Sequence, residues 1–288
     1  MAKVAVVTDS CASIPEAIIE KLNIYWVAYY IHRGQEVLRD LVTIKRDEFL
    51  AWLSTAKVLP TTASPGPGHY LEMYEELSTK QRVNEIISIH MTSKGSGAYQ
   101  AAKVVQSIAE EKLPDVKIEV IDTQNVAMCT GLMVIEAARA AMAGFCLEEV
   151  TAAVKKMIPV TRLIQTADTL KYLYMGGRIG RAQHLVGSLL NIKPLISMAD
   201  GVIVPLGTAR SRQRAYAAMV DLVEEAVGPK GKIKIAYMHA GALKEVEKIR
   251  DLVEDRLTVV EGFFAELSPA LAVHTGPGTA GLCYFPVD

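Results

Sequence analysis

An excess of charge of either sign is missing from this chain of 288 residues: 31 Lys and Arg stand against 32 Asp and Glu, for a formal net charge of −1. Without a basic surplus there is no general polyanion-binding face to expect, so nucleic acid is a poor partner. No run of about 18 uncharged apolar residues occurs, and the opening MAKVAVVTDS is too short an apolar stretch for a secretory signal. A soluble cytoplasmic protein without stable membrane association is expected. Cys11, Cys129, Cys146 and Cys283 lie far apart with no paired spacing, which argues against zinc ribbons and disulfide frameworks and for free thiols. Standard catalytic signatures are also missing: there is no GxSxG elbow, Walker A loop, HExxH pair or GxGxxG opening a helix. His32, His69, His90, His184 and His239 are scattered without metal-ligand spacing, so neither a metal nor a cofactor is expected. Internal repeats, low-complexity tracts and long linkers are absent too.

What is present is enough apolar sequence to fold. Half of the residues are hydrophobic, and the length exceeds what one core usually supports, so two domains are expected, 1–158 and 159–288, parted near Pro159. In the first, short β-branched runs alternate with helical ones, the pattern of a Rossmann-like parallel sheet with crossover helices. The spacing predicts strands at Val4–Thr8, Tyr25–Ile31, Glu85–His90 and Lys117–Ile121. Ser13-Ile14-Pro15-Glu16 reads as a capping box opening a helix to about Leu22. Further helices are expected over 46–54, 68–78, 97–112, 128–143 and 147–157. The second half reads as α+β. Pro194–Met198 and Val202–Leu206 flank Asp200-Gly201, a strong hairpin signal, followed by a basic helix over 212–227, a strand over 232–238 and a helix over 242–257. Strands near Thr258–Glu266, Ala270–His274 and Gly281–Phe285 complete it.

Candidate chemistry gathers in loops. Four strand ends carry hydroxyl-rich or Gly-rich turns: Thr8-Asp9-Ser10, Pro60 to Gly68, Thr92 to Gly97, and Asp122-Thr123. At the carboxyl edge of an open α/β sheet such turns meet ligands. Thr61, Thr62, Ser64, Ser93 and Ser96 sit among Gly and Pro before helices, an arrangement suited to a carboxylate or phosphate, although each hydroxyl could serve only as a cap. Arg178 follows Gly176-Gly177, and Arg210, Arg212 and Arg214 form a second basic group, either a docking patch or a solvated edge. His274 precedes Thr275-Gly276-Pro277-Gly278, a stretch that is either a ligand loop or a strand turn with a satisfied histidine.

Taken in order, TDSCASIP at 8–15, TTASPGPG at 61–68, TSKGSGAYQAA at 92–102, KYLYMGGRIG at 171–180 through LNIKP at 190–194, ADGVIVPLGTARSRQRA at 199–215 and HTGPG at 274–278 resemble the DegV family over nearly the whole chain. That resemblance implies a two-domain α/β protein with a ligand tunnel near the domain junction, burying one long-chain fatty acid. In the fatty acid kinase system, members present the fatty acid's carboxylate to a separate kinase subunit and carry the acyl phosphate formed. A substrate carrier is therefore implied rather than an enzyme. By resemblance, Thr62, Ser93 and His274 bind the carboxylate and Arg178 matches the family's arginine after Gly-Gly; from the loops themselves Ser96 and Thr275 are expected beside the fatty acid, and Arg178, Arg210 and Arg212 are expected to meet the partner or the phosphate. The family's Thr-Ser-Gln-Pro-Ser loop departs here to Thr62-Ala63-Ser64-Pro65-Gly66, and Gly95 replaces a usual Leu. A competing expectation is an autonomous phosphotransferase or hydrolase acting on a small anionic ligand, because loop hydroxyls and His274 also suit nucleophilic chemistry.

Overall fold

The computed structural model describes residues 4–188 and 192–287; residues 189–191, which include the first two of LNIKP, lie outside it, as do 1–3 and 288. Strand β1 (Val4–Asp9) is buried at every position, as a strand covered on both faces must be. It is followed by α1 (Glu16–Lys21), β2 (Tyr25–Val27), β3 (Tyr30–Arg33), β4 (Glu36–Arg39), α2 (Arg46–Thr55), β5 (Thr61–Ala63) and α3 (Pro67–Gln81). The first half closes with β6 (Glu85–His90), α4 (Ala98–Lys112), β7 (Lys117–Asp122), α5 (Ala127–Met142) and α6 (Leu147–Met157). A four-stranded parallel sheet has the order β2-β1-β6-β7, and α5, apolar nearly all round, packs on β1 and β6. A small antiparallel sheet, β4-β3-β5, stands beside it.

The second half contributes β8 (Arg162–Thr166), α7 (Lys171–Met175), a 3-10 segment (Gly180–Ser188), β9 (Lys193–Ala199), β10 (Val202–Ala209), α8 (Arg212–Val227) and β11 (Lys232–His239). It ends with α9 (Leu243–Arg256), β12 (Thr258–Glu266), α10 (Pro269–Thr275) and β13 (Ala280–Pro286). These strands form a mixed sheet of order β10-β9-β8-β13-β11-β12, antiparallel except between β11 and β12. The chain is thus α/β, with a parallel sheet and a separate mixed sheet. Asp200 and Gly201 both have positive φ at the β9–β10 turn, the geometry a two-residue hairpin demands. Among the described residues no helix is long and apolar enough to cross a membrane.

Three local expectations are corrected. Ala270–His274 is a helix: Ser268 Oγ accepts from Leu271 N–H, Pro269 occupies the first turn, and the run from Pro269 to Val273 is buried throughout. A short apolar run buried on all sides shows neither the helical nor the strand period, so composition cannot separate the two. The Ser13 capping box does not form. Ser13 takes a left-handed φ of 54°, and its hydroxyl instead accepts from Ser268 N–H at 3.0 Å, 255 residues away. Tyr25–Ile31 breaks at Ala28-Tyr29, which sends β2 and β3 into different sheets. Strands β4, β5 and β8 carry no run long enough to stand out in the sequence.

Candidate functional site

The carboxyl ends of β1, β6 and β7 face the inner side of the mixed sheet, and between them lies a cavity of about 410 Å³, within the range of roughly 300–1,000 Å³ usual for ligand pockets. Turns after the parallel strands supply Cys11, Met91 and Val126 to its wall. The mixed sheet supplies Leu163, Gln165, Met198 and Ile203, and Leu267, Ala270 and Leu271 come from the start of α10 and the residues before it. Polar groups come from β5 and the residue after it, the 92–97 loop and the C-terminal turn of α10: Thr62, Ser64, Ser96 and His274 all line the cavity. The hairpin turn closes one side, because Thr92 Oγ1 donates to Gly201 O at 2.8 Å and Lys94 Nζ donates to Asp200 O at 2.7 Å.

Thr62 and His274, 212 residues apart in sequence, meet at 2.8 Å between Oγ1 and Nε2. Burial, reinforced by the nearby Arg178 guanidinium, lowers the His274 pKa from its ordinary value to about 4, so the imidazole is neutral near pH 7. Its Nδ1 is buried without a partner, pressed against Gly176: a Cβ at that glycine would lie 2.4 Å away. An orphaned N–H costs more than an orphaned lone pair, which assigns the ring proton to Nε2. Nε2–H then donates to Thr62, and the Thr62 hydroxyl proton is free to turn into the cavity. Ser96 Oγ bonds Tyr29 Oη, and whichever donates, the other keeps a free proton. Two hydroxyl protons are therefore free to face a largely apolar cavity. A carboxylate, which only accepts hydrogen bonds, matches them.

The remaining sequence candidates fall into distinct places. Thr275 lines the cavity, but its hydroxyl donates to Leu271 O at 3.3 Å, which uses its one proton within the helix. Ser93 is not a lining residue: its N–H is held by Asp122 Oδ2 at 3.2 Å, and its neighbours Thr92 and Ser96 occupy the wall instead. Arg178 lines the rim, exposed, with Nη1 donating to Gly176 O at 2.7 Å; among the described residues it meets no carboxylate. Arg212 is engaged internally. It donates to both Asp168 oxygens, to Tyr216 Oη and to Gly278 O, bracing the turn after His274 rather than presenting itself to a partner. Although partial burial pushes the other way, Arg212 and Lys193 hold the Asp168 carboxyl below its usual range. Arg210 and Arg214 are exposed.

Tyr29, Cys11 and Gln165 also line the cavity, and no loop chemistry or spacing marks them in the sequence. Burial first, then the charges of Asp9 and Asp40, push the Cys11 thiol well up, so it stands protonated and inert. Asp40 fastens the other end of α10: its Oδ1 accepts from Ala270 N–H at 3.1 Å, while Oδ2 is buried without a partner. Burial raises its pKa to about 6.

A second constellation has the order of a hydrolase triad. Ser88 Oγ lies 2.8 Å from His90 Nε2, and His90 Nδ1 lies 2.8 Å from Asp9 Oδ2. All three are buried, the Tyr70 ring packs edge-on against His90, and none lines the cavity, so no substrate atom reaches Ser88. Its hydrogen bonds knit β1 to β6. Among the described residues no group of three or more His, Cys, Asp or Glu could hold a metal ion.

A family model described as an uncharacterised protein of the DegV family matches residues 3–287. A DegV domain-containing protein of Caldanaerobacter subterraneus is 30% identical over 284 residues, covering 99% of each chain. Another, from Halalkalibacterium halodurans, is 31% identical over 287 residues with the same coverage. Among solved structures, that of a DegV family protein from Thermus thermophilus, described for its fatty acid binding, superposes with a TM-score of 0.91 at 28% identity, over 99% of each chain. DegV of Bacillus subtilis, described as a fatty acid binding protein, superposes with a TM-score of 0.87 at 26% identity over 100% of each chain.

Proposed function

This chain belongs to the DegV family, and from that premise we propose that it is a carrier that holds one long-chain fatty acid in the cavity and presents its carboxylate to a separate kinase subunit. The observation that carries the proposal is the neutral His274 paired with Thr62 in the wall of an otherwise mostly apolar cavity. Fatty acid binding in the Thermus and Bacillus relatives supports it. Each methylene moved out of water contributes about 0.8 kcal/mol, so the acyl tail supplies most of the affinity. Hydroxyl protons of Thr62 and of the Ser96–Tyr29 pair fix which end faces the rim, and no buried counter-ion is needed.

For phosphorylation, one carboxylate oxygen attacks the γ-phosphorus of a nucleotide held by the kinase, and the nucleoside diphosphate leaves. Arg178 at the rim balances the charge that gathers there, and His274 keeps the carboxylate turned outward through Thr62. The carrier's own part is therefore binding and orientation, performed in the cytoplasm.

Native mass spectrometry of the purified chain is expected to show one C14 to C18 fatty acid bound; an empty protein with turnover of its own would favour the autonomous enzyme instead. Thr62→Val keeps the side-chain volume and removes the donor, so it should weaken fatty acid binding about tenfold or more, the worth of a hydrogen bond to a charged group. Equal affinity in a titration of delipidated wild type and variant would exclude that role. His274→Ala and Arg178→Ala should each slow acyl phosphate formation by the kinase subunit. Unchanged rates in both variants would leave the carrier reading without its presenting residues.

A further inference from the structure

The cavity contains one polar side chain that the head-group machinery does not use. Gln165 is 5% exposed, lines the cavity from the middle of the mixed sheet, and among the described residues its amide has no hydrogen-bond partner. On β8 it shares a face with Leu163, two residues earlier, which also lines the cavity. Its register partner on β13 is Gly281, where an added Cβ would stand 2.6 Å from Gln165 Cβ, so the neighbouring strand leaves the side chain its room. Its partner on β9 is Ile196. Neither amide atom is sealed in the protein, so both open onto the cavity; an apolar chain filling that space would cover them without a partner, a cost that a leucine or methionine at the same strand position would not carry.

We infer that Gln165 is a specificity-determining residue that hydrogen-bonds an oxygen carried on the acyl chain, so that the cavity takes hydroxylated fatty acids in preference to unsubstituted ones, an assignment that rests on fatty acid binding itself. A carboxylate is the wrong partner for this amide. It accepts from the NH2 but repels the carbonyl oxygen beside it, and its own oxygens already have the free protons of Thr62 and of the Ser96–Tyr29 pair. A hydroxyl fits better because it can accept from Nε2 or donate to Oε1, whichever way the amide is turned. The tail's methylenes supply affinity without regard to which acid is bound, whereas a hydroxyl that must be buried is tolerated only where a partner waits for it.

The test is competition binding on delipidated protein, with octadecanoic acid against a series of octadecanoic acids hydroxylated at carbon 2, 3, 10 or 12. Wild type should bind at least one hydroxylated acid about tenfold more tightly than octadecanoic acid, and Gln165→Leu should lose or reverse that ratio. The ratio is taken within each protein, so a general loss of affinity does not enter it, and Gln165→Met, closer in shape, serves if the leucine variant misfolds. If wild type binds octadecanoic acid and every hydroxylated acid alike, or if the ratio survives both substitutions, the role of Gln165 is overturned while fatty acid binding stands. If no acid of either kind binds wild type, both fall.

Discussion

Gly276→Ala is expected to cost about 4 kcal/mol of stability and to abolish ligand binding in the cavity. Two costs coincide at this position. Gly276 ends α10 at φ 79° and ψ 162°, a region open in practice to glycine alone. An added Cβ would also stand 2.3 Å from Tyr172 Cδ2 and 2.9 Å from its Cγ. The near end of a ring cannot swing aside, so α7 itself must move. Helix α7 is capped by Gly176, the residue against which His274 Nδ1 is packed, and its displacement frees the imidazole from the position that aims Thr62. Gly177→Ala is the control. Its φ is 69°, yet nothing lies within 4 Å of the added carbon, so only backbone strain of about 1 kcal/mol applies. Urea unfolding of both variants checks the difference, and equal losses would mean that contact with Tyr172 has no part in it.

The second large effect is a pair of opposed pH dependences hidden in the wild type. His274 has its folded pKa lowered to about 4 from an ordinary 6.5, so its contribution is intact above pH 6.5 and is lost as pH falls towards 4. Asp40 has its folded pKa raised to about 6 from an ordinary 3.8, so its contribution is full below 3.8 and is lost as pH rises through 6. Each displacement is worth about 3 kcal/mol at 1.36 kcal/mol per pKa unit. Between pH 4 and 6 the two nearly cancel. Asp40→Asn should therefore exceed wild type by about 3 kcal/mol at pH 7.5, with the gain gone by pH 4. His274→Gln should show the reverse trend, gaining on wild type as pH falls. Urea midpoints from pH 4 to 7.5 decide the matter, and variant profiles that run parallel to wild type would remove both assignments.

What the sequence discloses of this molecule follows a physical rule. Strand β6 and helix α8 can be bounded to the residue because each has its signal within its own length: a short β-branched run in one, and in the other Ser211 as an N-cap accepting from Arg214 N–H with Gly228 past the end. Helix α10 misleads because a run buried on every side has no periodicity to read. The site divides in the same way. Thr62, Ser64, Ser96 and His274 are visible as polar atoms in glycine-rich or proline-rich stretches, and Arg178 as a guanidinium after two glycines. Their assembly is not, since the Thr62–His274 contact spans 212 residues. Ser93 and Ser96 look equivalent in TSKGSG, and only the path of the loop decides which one reaches the cavity. Tyr29 lies in a run read as one continuous strand and Gln165 in β8, which no run marks, so nothing local separates a cavity wall from a core at either.

Helix α10 comes from the last twenty residues of the chain, yet it packs against α2, β3, β5 and the turn at 10–12, all from the first quarter. Its two ends are tied there, by Ala270 to Asp40 and by His274 to Thr62. During synthesis on the ribosome, then, the parallel sheet can be complete for a long interval while its carboxyl edge is still unroofed. The wall that Ala270, Leu271, His274 and Thr275 give the cavity is in place only once this helix has emerged and docked. A chain truncated before Pro269 would keep β1 to β12 yet lose that wall and both of its ties, leaving the carboxyl edge of the parallel sheet open on this side.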